Sequence, residues 1–331
     1  MSQTQTRAII RGIGAGIPDR VLTNAELSTM VDTDDEWILQ RTGIRERRIV
    51  ADGQQCSDLA AAAAQEALDM AGFDPMTLDL IVVGTVTGDF VFPSTACLVQ
   101  DKIGAKRAGA LDVGAACAGF IYSLDFASAM IEGGRAQRVL VLGADVLSRH
   151  VDWTDRSTCI LFGDGAGAVV LEASQDGDRG VVQTILMADG EGARHIVMET
   201  GGTRYPAHKQ SEHNRNPYIF MAGREVYKFA VHAMGDACAR LLEKAGLTSA
   251  DIRLFVPHQA NLRIIESAAE RLKLCPEQVF INVDRYGNTS AASIPIGLWE
   301  AHHQGRLKPG DLVMTVGFGA GLTWGANLIR W

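Results

Sequence analysis

No CxxC pair occurs in this chain; its six cysteines (56, 97, 117, 159, 238 and 275) are scattered. That spacing argues against both a zinc cluster and a disulfide framework. MSQTQTRAIIRG lacks a basic stretch followed by an apolar core and a small-residue cleavage site, so the reading is a cytoplasmic protein. Positive charge is also short: a net charge of −8 and a pI near 5.5 disfavour nucleic acid as the main partner. One uncharged run, LVMTVGFGAGLTWGANLI (312–329), approaches the length of a membrane span, but four glycines, Thr315, Thr323 and Asn327 interrupt it. It predicts two buried strands joined by a glycine turn, and no membrane partner.

What remains is an ordinary globular composition of 331 residues, 47% hydrophobic and 21% charged, enough for a sizeable core. Apolar runs such as LIVVGTV (80–86), VLVLGAD (139–145) and AVVLEA (168–173) alternate with helical periods, the α/β signature. The sequence also matches itself. AAQEALDMAGFDPMTLDLIVVGT (63–85) aligns without gaps on ACARLLEKAGLTSADIRLFVPHQ (237–259), placing Gly84 on His258. CAGFIYSLDFASAMIEGGRA (117–136) is aligned on NTSAASIPIGLWEAHHQGRL (288–307), placing Cys117 on Asn288. Two halves, 1–177 and 178–331, follow from this duplication. In open α/β sheets ligands collect at the carboxyl ends of strands, and a pseudo-twofold would bring those ends together.

Cys117 lies in DVGAACAGF, between an apolar run and a helical period. A thiol there sits at a helix N-terminus, which favours the thiolate, and its small neighbours leave the sulfur accessible. His258 ends an apolar strand in LFVPHQANLRII, and Asn288 lies in the turn DRYGNTSAASIP. Singly these read as a buried cysteine, a core histidine and a helix cap. Together a neutral imidazole and an amide can hold an oxyanion while a cysteine carries an acyl group. GIGAGIP (12–18) is not GxGxxG and is read as a turn, and FGDGAGA (162–168) precedes a strand, so neither signals a nucleotide cofactor.

DEWILQRTGIRERR (35–48), FPSTAC (92–97), CAGF (117–120), DRSTCILFGDGAGA (155–168), MAGREVYK (221–228), PHQANLR (257–263), GNTSAASIP (287–295) and GFGAGLTWGA (317–326) occur in that order. This series resembles the β-ketoacyl-acyl carrier protein synthase III family over nearly the whole chain. The resemblance implies a duplicated thiolase-like fold of five layers, α-β-α-β-α, and an acyltransferase that starts fatty-acid synthesis. Cys117 would take the acyl group of acetyl-CoA or another short acyl-CoA. Malonyl-acyl carrier protein would then lose carbon dioxide and its carbanion would attack the acyl-enzyme. The products would be 3-oxoacyl-acyl carrier protein, CoA and CO2. By the same resemblance His258 and Asn288 hold the malonyl thioester oxygen, Phe318 promotes decarboxylation, and the N–H groups of Cys117 and Ala320 form the acyl oxyanion hole. Ala320 departs from relatives that carry glycine there, leaving the donor intact.

The resemblance further assigns Trp37 and Arg156 to the adenine of coenzyme A, and Arg41, Met221, Gly223, Tyr227 and Asn261 to the pantetheine tunnel. Lys228, Gln259, Ala260, Asn261, Leu262, Arg263 and Arg271 are assigned to the acyl carrier protein, with Glu270 weakening that basic face. Phe92 is expected to floor the acyl pocket of the partner subunit in a homodimer and to favour short starters. No metal or other cofactor is implied, acyl-CoA being a substrate. Residues 199–218 form an inserted polar and basic segment, expected to be a mobile surface loop near the tunnel mouth. The rivals are another thiolase-fold condensing enzyme of chalcone-synthase or quinolone type, a papain-type cysteine hydrolase, whose CGSCW-like box is missing here, and a non-catalytic acyl-CoA binder.

Overall fold

The computed structural model describes residues 6–175 and 179–331. The proposed boundary at 177/178 lies outside those residues. Two sheets carry the molecule. The first comprises β1 (Arg7–Gly16), β2 (Leu80–Gly84), β3 (Gly109–Val113), β4 (Arg138–Val146) and β5 (Asp164–Ser174), in the order β1-β5-β4-β2-β3. The second comprises β6 (Gly180–Ala188), β7 (Leu254–Pro257), β8 (Leu312–Gly319) and β9 (Thr323–Arg330), in the order β7-β8-β9-β6. Both follow one plan. A first strand runs antiparallel to the last, the last antiparallel to the one before it, and the remainder pair in parallel. The fifth position of the second sheet is only a single parallel bridge, Phe255 to Val279. The uncharged run near the C-terminus is the β8–β9 hairpin, as the glycine pattern predicts.

Alternation along the strands divides the core into three. Val139 and Val141 of β4 point to the middle of the molecule, where they join Phe120, Leu124 and Ile131 of α4 (Gly119–Glu132) and Ile294 and Leu298 of α7 (Ser293–His303). Leu140 and Leu142 point outward to α2 (Cys56–Ala71) and α3 (Thr95–Lys102). Phe255, Met314 and Val316 of the second sheet face α5 (Gly223–Ala245) and α6 (Leu262–Leu272). The layers are therefore helix, sheet, helix pair, sheet, helix, the duplicated five-layer α/β fold expected from the sequence.

The duplication is close in detail. Helices α2 and α5 both end in a left-handed glycine, Gly72 at φ 67°, ψ 31° and Gly246 at φ 66°, ψ 30°, and each leads through a short 3₁₀ turn into β2 or β7. Two readings of the sequence need correction. GIGAG is not a turn but the end of β1, where Gly12 and Gly14 lie under the backbone of α2 at Ala67 and Ala63 with no space for a Cβ. The second alignment is displaced by three residues at its start. Ala116 at φ 45° and Ser290 at φ 50° open equivalent 3₁₀ turns, Ala116–Ala118 and Ser290–Ala292, so Cys117 corresponds to Ala291. Helix α7, of 11 residues against 14 in α4, is about one turn shorter. A gapless match anchored at the helix ends thus shifts their beginnings.

Candidate active site

The two central helices begin at strand-to-helix corners that face one another. Cys117 occupies the 3₁₀ turn ahead of α4 and is half-buried. Gly319, at the end of β8, passes beside it: a Cβ there would stand 2.5 Å from the Cys117 nitrogen and 3.1 Å from the Ala116 Cβ. The small residues around the thiol thus admit a second strand end as well as a substrate. Ala320 follows directly and lines the same cavity.

His258 extends β7, its N–H donating to the Val316 carbonyl at 2.7 Å. Its Nδ1 lies 2.7 Å from the Ser293 hydroxyl, and its ring meets Phe318 edge to face with centroids 5.4 Å apart. Nε2 is buried and has no protein partner among the described residues. Burial lowers the imidazole to about 3, so it is neutral across the physiological range. Asn288 is buried, and its Oδ1 accepts the Ser290 N–H at 2.9 Å, which turns the Nδ2 donors away from that bond. A neutral imidazole and a carboxamide therefore line one cavity.

Burial opposes the ionisation that the helix N-terminus favours. Burial pushes the Cys117 thiol up to about 12; the Ser290 hydroxyl works the other way, and the Asp145 carboxylate adds to the rise. Asp145, at the end of β4, was not anticipated from the sequence. It is fully buried and joins both halves, Oδ1 accepting from the Thr85 and Thr87 hydroxyls and the Val86 N–H, and Oδ2 from the Ala291 N–H at 3.2 Å. Its own protonation is raised, burial being the main cause. Ser290 and Ser293 were likewise missed as individual residues, although both lie in the quoted GNTSAASIP.

A cavity of about 270 Å³ contains Cys117, His258, Asn288, Phe318 and Ala320 in its wall. Its lining is mostly apolar and includes Met221, Gly223, Tyr227 and Asn261. Asn261 caps α6 through Arg263 N–H, and its Nδ2 donates to the Arg41 carbonyl at 2.9 Å, tying the mouth to α1 (Asp35–Thr42). Beside Trp37 of α1, the guanidinium carbons of Arg41, on the same helix, and of Arg156, ahead of β5, lie 4.6 and 5.1 Å from the ring centroid. Arg156 also donates to the Asp32 carbonyl at 2.9 Å, so a ring entering between Trp37 and Arg156 must swing that guanidinium aside. Residues 199–218 carry short helical turns at Ala207–Lys209 and Gln210–His213. The flanking strands Ile196–Val197 and Phe220–Met221 pair, and Ile196, Val197 and Met221 line the cavity.

Some assigned residues lie elsewhere. Phe92 is exposed beside Phe90 and Val91 and is not in the wall of this chain's own cavity. Lys228, Arg263 and Arg271 are exposed on α5 and α6, Lys228 beside Glu225 at 3.5 Å. Leu262 is half-buried against the core. Gln259 is a correction: it is buried, its side chain donating to the Pro257 and Phe280 carbonyls and accepting from Asn282 and Val283, which leaves nothing for a docking protein. Ala260 is also buried and belongs to the cavity wall.

A cysteine, a neutral histidine and a carboxamide meeting between two α/β halves of this five-layer form define a thiolase-fold condensing enzyme. Residues 111–190 match 3-oxoacyl-[acyl-carrier-protein] synthase III, and residues 242–331 match its C-terminal part. The chain is 52% identical over 322 residues to β-ketoacyl-[acyl-carrier-protein] synthase III of Symbiobacterium thermophilum and 50% identical to that of Caldanaerobacter subterraneus, 97% of each chain being covered. The crystal structure of the synthase III from Aquifex aeolicus superposes with a TM-score of 0.91 at 48% identity, over 98% of this chain and 100% of that one. The chain belongs to the β-ketoacyl-[acyl-carrier-protein] synthase III family, and is thus an acyltransferase of the condensing type.

Proposed function

We propose that the chain starts fatty-acid synthesis by condensing acetyl-CoA, or another short acyl-CoA, with malonyl-acyl carrier protein. The observation that carries this reading is the convergence of Cys117, His258 and Asn288 on one apolar cavity. In the first half-reaction the Cys117 sulfur attacks the acyl carbonyl carbon, the bond from that carbon to the CoA sulfur breaks, and the thiol proton ends on CoA. Donors at the backbone of Cys117 and Ala320 stabilise the tetrahedral oxyanion. Net charge is unchanged, which suits a thiol that burial holds in its neutral form.

In the second half-reaction the malonyl carbon–carboxylate bond breaks and CO2 leaves. The electron pair moves into an enolate whose oxygen is held by His258 Nε2–H and Asn288 Nδ2–H. The carbanion then attacks the acyl-Cys117 carbonyl, and the released thiolate takes a proton from solvent. Phe318 packs the imidazole edge and keeps water from the departing carboxylate. Trp37 and Arg156 receive the adenine of CoA, Arg41, Met221, Gly223, Tyr227 and Asn261 its pantetheine arm, and Lys228, Arg263 and Arg271 the acidic carrier protein. Two such chains form a homodimer in which Phe92 of one protomer floors the acyl pocket of the other. The halves divide near 177/178, the enzyme works in the cytoplasm, and no metal or cofactor takes part.

Incubation of the full-length protein with acetyl-CoA tests the reading: one acetyl group is expected on Cys117 by intact mass and peptide mapping. Absence of that adduct, with longer acyl-CoA primers forming it, would reassign the starter. Its absence with every primer would overturn the reading.

A further inference from the structure

The duplicated halves differ most sharply at one pair of positions. In the first half, Gly84 at the end of β2 touches Gly119 at the start of α4; a Cβ on Gly84 would stand 2.5 Å from the Gly119 carbonyl carbon. The equivalent positions in the second half are His258 at the end of β7 and Ser293 at the start of α7. There both residues carry side chains, and those side chains meet, Ser293 Oγ to His258 Nδ1 at 2.7 Å in a buried setting.

The direction of that bond follows from what else the hydroxyl does. Ser293 Oγ accepts the Gln259 N–H at 3.3 Å, and a serine hydroxyl has one proton to give. Among the described residues its one acceptor is His258 Nδ1. A ring nitrogen that accepts carries no proton, so in a neutral imidazole the proton resides on Nε2. Nε2 is the nitrogen without a protein partner, buried in the cavity wall. Gln259 is itself fixed at both ends of its amide by Pro257, Phe280, Asn282 and Val283, so the chain Gln259–Ser293–His258 is held from behind.

We propose that Ser293 is a positioning residue that sets His258 as the Nε2–H tautomer, making the nitrogen that faces the cavity a permanent hydrogen-bond donor and never a base toward Cys117. The inference rests on the reading above that the cavity is a decarboxylative condensing site. Its consequence is a division of labour: His258 supports the enolate of the extender thioester, and the Cys117 proton travels to the CoA sulfur without passing through the imidazole. Without the Ser293 hydroxyl, Nδ1 is free to carry the proton, and the donor facing the substrate becomes an acceptor.

The test uses the full-length enzyme labelled with ¹⁵N-histidine, with His258→Gln to assign the resonance. Wild-type His258 is expected to show a protonated Nε2 and an unprotonated Nδ1. Ser293→Ala is expected to move population toward the other tautomer, to slow CO2 release from malonyl-acyl carrier protein about 10- to 100-fold, and to leave acetylation of Cys117 within about twofold. Ser293→Thr should restore both the spectrum and the rate. A wild-type spectrum with the proton on Nδ1 would overturn the proposal, as would Ser293→Ala slowing both half-reactions equally. If wild type releases no CO2 from any malonyl thioester, the condensing reading fails instead, and the wild-type spectrum still decides the tautomer.

Discussion

The corner ahead of α4 and the corner ahead of α7 share a backbone down to a left-handed non-glycine residue, Ala116 in one and Ser290 in the other, yet present different chemistry. The first places a thiol one residue further on and is otherwise bare. The second replaces the thiol with Ala291 and surrounds it with Asn288, Ser290 and Ser293. Asp145 binds the second corner through Ala291 and the first sheet through Thr85, Val86 and Thr87. Two copies of one fold thus supply equal geometry, and substitution within that geometry separates the nucleophile from the oxyanion donors. Neither corner is a complete site.

The comparison breaks most completely at the thiol. Cys117→Ala is expected to abolish the acetyl adduct and lower condensation by more than about 10⁴-fold, measured by intact mass and product formation; retention of activity would remove the first corner from the chemistry. On the second corner, Asn288→Ala is expected to cost about 10²–10³-fold in decarboxylation while acetyl transfer falls far less. Separate stopped assays of the two half-reactions measure that split.

The glycine contact offers a smaller, structural test. Gly84→Ala places a methyl group against the Gly119 backbone and is expected to destabilise the fold by about 1–3 kcal/mol, read by chemical denaturation. The thiol gives a graded one. With Cys117 held near 12, alkylation by iodoacetamide is expected to rise up to tenfold per pH unit between about pH 7 and 9.5 without levelling. A plateau in that range would mean a thiolate already formed. The mildest change is at the mouth: Trp37→Ala should raise KM for acyl-CoA about fivefold with kcat little altered.

Much of this was legible in the residues. The helix-glycine-turn-strand repeat gave the duplicated α/β architecture, and Cys117, His258 and Asn288 do share a cavity. What escaped depends on contacts distant in sequence. The glycines of GIGAG are strand residues because α2, some fifty positions later, presses on them, and local composition there reads equally as a turn. The thiol's protonation is set by burial beneath the opposite half, against the local helix N-terminus that favours ionisation. The resemblance assigned Gln259 to the carrier protein, but its side chain is bonded to Phe280, Asn282 and Val283. Ser293 lies 35 positions from His258, and nothing along the chain couples them.

The central claim is that one corner takes the acyl group and the other carries the decarboxylation. It is tested most directly in a single variant, His258→Ala, by following acetyl loading of Cys117 and CO2 release from malonyl-acyl carrier protein in the same preparation. The expected result is near-normal loading of one acetyl group with CO2 release lowered about 10²-fold or more. Equal loss of both, or loading lost while CO2 release persists, would contradict the account.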